Sequence, residues 1–173
     1  MIIQGENILK QYHHKTGIIN ALDHVSFEVN TGDFVTVTGP SGSGKSSLLL
    51  ALFRLIRLTS GNIIFNGKRI DNINDRQLTD IRKKSVGYIL QSFALIPYLT
   101  TIQNVLIPLA LEKGPRKEQY KRGNEILDYV GLSDRMDHLP RELSAGQPQR
   151  VAIARSIIHR PQIIMADEPT GNL

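Results

Sequence analysis

The segment Phe34–Ser47, FVTVTGPSGSGKSS, decides the fold. It opens on a run of aromatic and β-branched residues, which favours a fully buried strand. The residues Gly39–Ser46 that follow match the pattern G-x-x-x-x-G-K-[ST]. A helical pattern then runs from Lys45 to about Ile56. A buried strand, a glycine-rich turn and a helix in this order predict a loop that binds phosphate groups.

The residue types in this loop suit that chemistry. Glycines let the backbone turn tightly and aim successive N–H groups inward, and the following helix adds the positive end of its dipole. Lys45 would reach the β- and γ-phosphates, and the Ser46 hydroxyl would ligate Mg²⁺. The alternative, a glycine-rich turn that carries a lysine by chance, is disfavoured by the strand and helix on either side. We expect a nucleoside triphosphate to be bound by Gly39, Pro40, Ser41, Gly42, Ser43, Gly44, Lys45, Ser46 and Ser47.

A second apolar run, Ile163–Ala166, leads into two adjacent carboxylates. In folds with such a phosphate loop, an acid at the end of a second buried strand positions Mg²⁺, and Asp167 has that place. Glu168, one residue further, can act as the general base that polarises an attacking water. The alternative for Glu168 is an ordinary acid that faces solvent at a strand end. Beside the phosphate loop, the pair favours hydrolysis over binding alone.

Composition narrows the class without deciding the partner. The 173 residues allow one domain, and an apolar fraction of 40% supports a real core. Cysteine is absent, which excludes disulfides and thiolate metal sites. The N-terminus has no secretion signal, and Arg54 and Arg57 follow the longest apolar stretch, so we expect no membrane span. The net charge of +5 comes from scattered residues and identifies no partner.

The remaining patterns alternate strands with helices, which predicts an α/β fold with a parallel sheet. A mostly helical insertion, about residues 93–160, interrupts it. The expected elements are antiparallel strands at Ile2–Lys10 and Val25–Asn30, a strand at Asn62–Phe65 before the turn Asn66–Gly67, a polar helix at about Asp75–Lys84, a buried strand at Val86–Leu90, helices within Thr100–Gly131 around a loop at Lys113–Pro115, and a helix at Ser144–His159.

The segment Leu143–Pro161, LSAGQPQRVAIARSIIHRP, gives the family resemblance. With the phosphate loop upstream and ADEPTGNL downstream, it closely resembles the ATP-binding subunits of ABC transporters, whose signature reads LSGGQ. The resemblance implies a P-loop NTPase fold with a parallel core sheet, an N-terminal antiparallel β subdomain and a helical insertion. It also implies ATP as the nucleotide, a second copy that closes over it, and a membrane-spanning permease partner at the cytoplasmic face of the membrane. No nucleic-acid partner is expected.

Particular residues take roles from this resemblance. Tyr12 matches the aromatic that stacks on adenine, and Gln91 matches the glutamine that senses the γ-phosphate and Mg²⁺ and couples to the permease. The signature residues, which would contact ATP in the partner's loop, are Ser144, Ala145, Gly146 and Gln147. Structural charges are expected at Arg150 and Arg155, and no metal role is expected for His13 and His14.

The match departs from the family at two signature positions. Ala145 replaces a glycine, which is tolerable only if its φ stays negative. Pro148 replaces a polar residue in the first turn of the helix, where a missing N–H is acceptable. It removes one amide that might have faced the partner's phosphate, so signature-side catalysis is expected to weaken rather than disappear.

The stretch after Gln91, QSFALIPYLTTIQNVLIPLAL, resembles the branch that serves lipoprotein release, macrolide efflux and antimicrobial-peptide export. The family continues beyond the position of Leu173 with strands, helices and a histidine that contacts the γ-phosphate. All five histidines here lie upstream of Asp167, so we expect those C-terminal elements to be missing from this chain and its turnover to be low. The alternatives are a nucleotide-binding remnant without turnover, a non-transport ABC ATPase that acts on DNA or ribosomes, and another P-loop enzyme such as a kinase.

Overall fold

The structure is a computed structural model that describes residues 1–15, 17–111 and 114–168. The chain forms two compact units, Met1–Thr79 and Asp80–Leu173. The first contains an antiparallel sheet and a helix, and the second contains two parallel strands and most of the helices. The expected helical subdomain at about residues 93–160 stays a prediction.

The first unit is built on a four-stranded antiparallel sheet in the order β2-β1-β3-β4. Its strands are β1 (Ile3–His14), β2 (Gly17–Val29), β3 (Ser60–Phe65) and β4 (Lys68–Arg69). The two expected N-terminal strands are confirmed as an antiparallel pair. They form one hairpin that continues well beyond the predicted bounds, through pairs such as Tyr12 with Ile19 and His14 with Gly17. The turn Asn66–Gly67 is also confirmed, with a positive φ at both residues.

Apolar residues on one face of this sheet form the core of the first unit. Ile8 and Ile63 are fully buried. The helix α1 (Lys45–Leu52) is shorter than predicted and ends beside the fully buried Phe53. The rings of Phe53 and Phe65 meet edge to face, with centroids 5.1 Å apart.

The segment before the phosphate loop corrects the sequence prediction. Residues 34–38, FVTVT, form no strand, and Phe34 is 96% exposed. A central parallel strand is buried only when strands flank it. Within the ranges that the structure describes, no strand pairs with these residues, and all five are exposed. The prediction of a fully buried strand was therefore wrong for this chain.

The second unit contains a parallel pair of strands, β5 (Val86–Ile89) and β6 (Ile163–Ala166). The expected buried strand VGYIL and the final apolar strand are thus confirmed. The helices are α2 (Asp75–Ser85), which begins in the first unit, α3 (Thr101–Leu106), α4 (Arg116–Tyr129) and α5 (Gln147–Ile157), with 3₁₀ turns at Ile107–Leu111, Ser133–Arg135 and Pro140–Glu142. A Cβ on Gly87 would lie 2.3 Å from the carbonyl oxygen of Ser156, so glycine allows α5 to approach β5 closely.

A cluster of aliphatic side chains holds α3, α4 and α5 together. Its fully buried members are Val105, Leu127, Leu132, Val151, Ala154 and Ile158. Asn104 is buried beside them and bonds four backbone groups between Ile96 and Thr100. Among the described residues, no helix combines the length and apolar character needed to cross a membrane.

Candidate functional site

The phosphate loop of the first unit has the backbone shape that its glycines predict. Gly42 and Gly44 have φ values of 79° and 93°, which side chains with a Cβ rarely adopt. The Ser43 amide donates to the Pro40 carbonyl at 3.2 Å, which closes the turn. The helix α1 starts at Lys45. The loop thus leads directly into a helix N-terminus, as a phosphate site requires.

Gly44 also sets where the loop lies. A Cβ on this residue would be 2.2 Å from the carbonyl oxygen of Ala21 on β2. The loop therefore rests on the backbone of β2. Two residues before Ala21, Ile19 pairs with Tyr12 across the hairpin. The strand β2 thus pairs with Tyr12, the predicted adenine-stacking residue on β1, and also contacts the phosphate loop.

Lys45 places its ammonium inside the loop. Its Nζ donates to the carbonyl oxygens of Gly39 and Pro40, at 2.9 Å and 3.0 Å. These bonds hold a positive charge where phosphate oxygens are predicted to bind. A lysine on a flexible stem suits this task, since it can exchange a carbonyl for a more strongly attracting anion.

Tyr12 offers only part of its ring for stacking. The residue is 44% exposed, and the Nζ of Lys10 lies 4.6 Å from the centroid of its ring. Lys10 thus covers one face, and an adenine would need the other. The sequence reasoning missed Lys10, although it lies two positions before Tyr12 and alternate residues of a strand share a face.

The paired acids lie at the carboxyl end of the parallel strands in the second unit. The Asp167 amide donates to the Ile89 carbonyl at 2.9 Å, which extends the strand pairing by one residue. Glu168 then turns the chain with a φ of 47°. Its Oε2 accepts a hydrogen bond of 2.9 Å from Nε2 of Gln91, which follows the neighbouring strand. The structure therefore brings Gln91 and Glu168 together.

The signature residues form a compact turn before α5. Gly146 has a φ of 83° and precedes the first helical residue, Gln147. The Gln147 side chain accepts a hydrogen bond of 2.8 Å from the Ser144 amide. Ala145 stays outside the positive-φ residues, which meets the condition that its Cβ imposes. Pro148 lies in the first turn of the helix, where its missing N–H is tolerated.

A groove of about 460 Å³ lies in the second unit, between β5, α5 and the start of the helical part. Its apolar lining includes Leu90, Ile96 and Ile107. Positive side chains also line it: Arg82, Lys83 and Arg155. Among the described residues, the buried Tyr88 hydroxyl has no hydrogen-bond partner there, and burial raises the pKa of Tyr88. The groove thus combines apolar surface with positive charge and an unsatisfied hydroxyl.

Three comparisons with known proteins agree with one another. The sequence pattern of the ABC transporter family matches residues 22–171. An uncharacterised ABC transporter ATP-binding protein of Thermotoga maritima is 47% identical over 155 residues, covering 90% of this chain and 66% of that protein. The lipoprotein-releasing system ATP-binding protein LolD of Francisella tularensis subsp. holarctica is 43% identical, covering 100% of this chain and 75% of LolD.

A solved structure shows the same fold. The ATP-binding cassette MJ0796, dimeric and bound to ADP and Pi in a post-hydrolysis state, matches with a TM-score of 0.94 and 39% identity. The match covers 99% of this chain and 76% of that one. The expected α/β fold, with its antiparallel and parallel sheets and its helices, is thereby confirmed. The chain spans between 66% and 76% of the length of these three proteins.

Proposed function

Because the chain belongs to the ABC transporter family, we propose that it is an ATP-binding and ATP-hydrolysing subunit that powers a membrane transporter. The observation that carries the hydrolytic part is the contact between Gln91 and Glu168. It places an amide and a carboxylate side by side at the carboxyl ends of two parallel strands. General-base chemistry on a water molecule needs a carboxylate held in this way.

The residues divide the work. The loop amides and Lys45 bind the β- and γ-phosphates of ATP, Tyr12 stacks on adenine through its uncovered face, and Glu168 takes a proton from the attacking water. Mg²⁺ would be held by Ser46, Gln91 and Asp167, whose hydroxyl, amide and carboxylate oxygens are the donors that this ion prefers. The bond to Glu168 uses the Gln91 nitrogen, so the oxygen that would face the ion is not consumed by it. The ion supplies charge neutralisation on the phosphates.

Two further partners follow from the family. The second copy of an ATP-binding subunit would present Ser144, Ala145, Gly146 and Gln147 to ATP held by this chain. The dimeric state of MJ0796 supports such pairing. A serine hydroxyl and amides before a helix are suited to the charge that develops on the γ-phosphate.

The permease partner would dock on the groove beside β5. Its apolar and positively charged lining suits an amphipathic helix with acidic residues, and the Tyr88 hydroxyl would gain a partner there. The subunit would then be held at the cytoplasmic face of the membrane. The 43% identity to LolD supports the lipoprotein-release branch, with export or extraction of a lipoprotein, peptide or drug as the transport step.

A nucleotide-binding chain with little turnover is the second candidate. The exposure of Phe34 favours it, because the segment that leads into the phosphate loop is not held in a sheet. A loop held loosely at one end can still bind phosphates, yet it positions them less well for chemistry.

Isothermal titration with ATP and a steady-state Mg-ATP hydrolysis assay test the proposal. Lys45→Ala should weaken ATP binding by about tenfold or more, because a charge-assisted contact to the phosphates is lost. Lys68→Ala, at an exposed strand position, is the matched control and should change nothing. Unchanged affinity in Lys45→Ala would refute the nucleotide site. Tight binding without turnover in the wild-type chain would favour the second candidate.

A further inference from the structure

Arg155 on α5 is bonded to the turn that follows Gln91. Its Nη1 donates to the Ala94 carbonyl oxygen at 2.7 Å, and its Nη2 donates to the Phe93 carbonyl oxygen. Throughout the described part of the chain, no carboxylate pairs with this guanidinium, and burial lowers the pKa of Arg155. The planar guanidinium therefore grips two adjacent carbonyls with separate nitrogens. An arginine that served only as a surface charge would not be placed in this way.

The gripped turn has a backbone that needs support. Phe93 and Ala94 have φ values of 57° and 44°, although neither is glycine. Such residues persist in this region only where their surroundings hold them. The turn closes through hydrogen bonds from the Phe93 amide to Leu90 and from the Ala94 amide to Ser92, at 2.9 Å and 2.7 Å. The amides of Phe93 and Ala94 thus donate within the turn, and the carbonyls of the same two residues accept from Arg155.

The turn also contains the residue that contacts the proposed general base. Gln91 lies within the closed turn, and its amide donates to Glu168 at 2.9 Å. We propose that Arg155 is a positioning residue for ATP hydrolysis, which holds the Phe93–Ala94 turn and thereby keeps the Gln91 amide on Glu168. This inference rests on the proposed function, since it assigns Arg155 a part in the chemistry of that site.

The two hydrogen bonds from Arg155 to the Phe93 and Ala94 carbonyls, here called the clamp, also link this turn to the signature, because α5 carries both Arg155 and part of the signature. The first residue of α5 is Gln147, the last residue of the signature. One helix thus carries the predicted contact with the partner's ATP at its start and the grip on the Gln91 turn near its end. A shift of α5 when the signature engages nucleotide would move the turn with it, because the fork of Arg155 ties the two together.

Kinetics and amide exchange on the whole chain test the clamp. The variants are Arg155→Met, which removes both bonds, and Arg155→Lys, which can keep one. Arg150→Met is the matched control, because Arg150 lies on the same helix and donates one bond of 3.4 Å to Val130, away from the turn. Each change is made in the wild-type chain and in a Gln91→Ala background, and thermal unfolding checks that each variant folds.

Loss of the clamp should lower kcat by about tenfold or more in Arg155→Met while KM for Mg-ATP stays within about twofold, because bonds from a charged donor are lost but nucleotide contacts are not. The kcat of Arg155→Lys should lie between those of Arg155→Met and the wild type, and Arg150→Met should behave as wild type. In the Gln91→Ala background, Arg155→Met should cost no more than about twofold further, because both changes act through one contact. Hydrogen–deuterium exchange at the Phe93 and Ala94 amides should quicken in both Arg155 variants and not in Arg150→Met.

Several results would overturn the inference. An equal loss of kcat with and without Gln91, a rise in KM alone, or unchanged amide exchange at the turn would each exclude a positioning role. If Arg155→Met does not fold, Arg155→Lys carries the same comparisons. Absence of turnover in the wild-type chain would count against the proposed function, and the exchange measurement would then decide for or against the clamp by itself.

Discussion

The side-chain amide of Gln91 donates a hydrogen bond of 2.9 Å to the carboxylate of Glu168. The two residues are 77 positions apart in the chain and meet because β5 and β6 run in parallel and end at the same edge. Gln91 thus contacts the proposed base directly, without a ligand between them. In the proposed function, this contact would couple the position of the nucleotide to proton transfer.

Glu168→Gln should abolish turnover and keep nucleotide binding. The amide preserves the size of the side chain and can still bond Gln91, but it cannot accept a proton from water. Loss of a general base reduces rates by about 10²–10⁴-fold. Initial rates of phosphate release and ATP affinity by titration measure the two effects. Glu125→Gln, an exposed change on α4, is the control. Substantial residual turnover in Glu168→Gln would show that another group acts as the base.

Much of this site was predictable from the sequence, and the parts that were not have physical causes. The phosphate loop and the acid pair each follow a strand pattern, so local residue types were enough to find them. Arg155 was identified only as a structural charge, because its partners are backbone carbonyls and these leave no trace in a sequence. Lys10 was missed because a cation over a tyrosine ring depends on strand register.

The fold shows the same division. The N-terminal hairpin and the strand Val86–Ile89 follow from alternation and from β-branched residues. The segment 34–38 has an equally strong strand pattern, yet it is exposed. A parallel strand depends on neighbours that come from distant parts of a chain, and no local pattern reports whether they are present. The length of the hairpin was also underestimated, because its far end is exposed and its sequence lacks the alternation of apolar and polar residues that indicates a strand.

Gly44→Ala should disrupt the phosphate loop more than Gly42→Ala does. Both glycines have a positive φ, so both substitutions carry the backbone cost of about 1–2 kcal/mol. Of the two, only Gly44 would place the new Cβ against backbone, at 2.2 Å from the Ala21 carbonyl oxygen, whereas no described residue beyond its chain neighbours lies within 4 Å at Gly42. Gly44→Ala should therefore show the larger loss of both unfolding free energy and ATP affinity. Equal losses in urea unfolding and titration would mean that the loop does not rest on β2.

Asn104→Ala should destabilise the helical part of the second unit by about 2–4 kcal/mol, since several buried backbone groups lose their partner. The Asn104 side chain donates to the carbonyls of Ile96, Leu99 and Thr100 and accepts from the Ile96 amide. Urea unfolding measures the loss, and amide exchange at Ile96 should quicken. Asn124→Ala, at an exposed position of α4, should stay within about 0.5 kcal/mol of wild type. A similar effect in both variants would exclude a special role for Asn104.

Asp71 should make the first unit more stable at neutral pH than in acid. Its Oδ2 lies 2.7 Å from Nη2 of Arg69, and its Oδ1 accepts from the Ile63 amide at 3.2 Å. Burial alone would raise the pKa of Asp71, but these hydrogen bonds outweigh it, and the pKa lies below its ordinary value of 3.8. A carboxyl with a folded-state pKa below its unfolded value binds fewer protons when folded, so its stabilisation is complete above 3.8 and is lost as the pH falls through the folded pKa.

Asp71→Asn removes this titrating group and keeps the shape of the side chain. At pH 7 it should lower the unfolding free energy by about 1 kcal/mol, because the neutral amide cannot pair with Arg69 and can clash with a donor. The difference from wild type should shrink below the ordinary pKa of 3.8, where the native carboxyl becomes protonated as well. Urea unfolding across the acid range measures this difference. Asp80→Asn, at an exposed position, should show no such trend. A difference that stays constant as the pH falls would mean that the charge of Asp71 contributes nothing, since protonation would then have no effect on the contacts it makes.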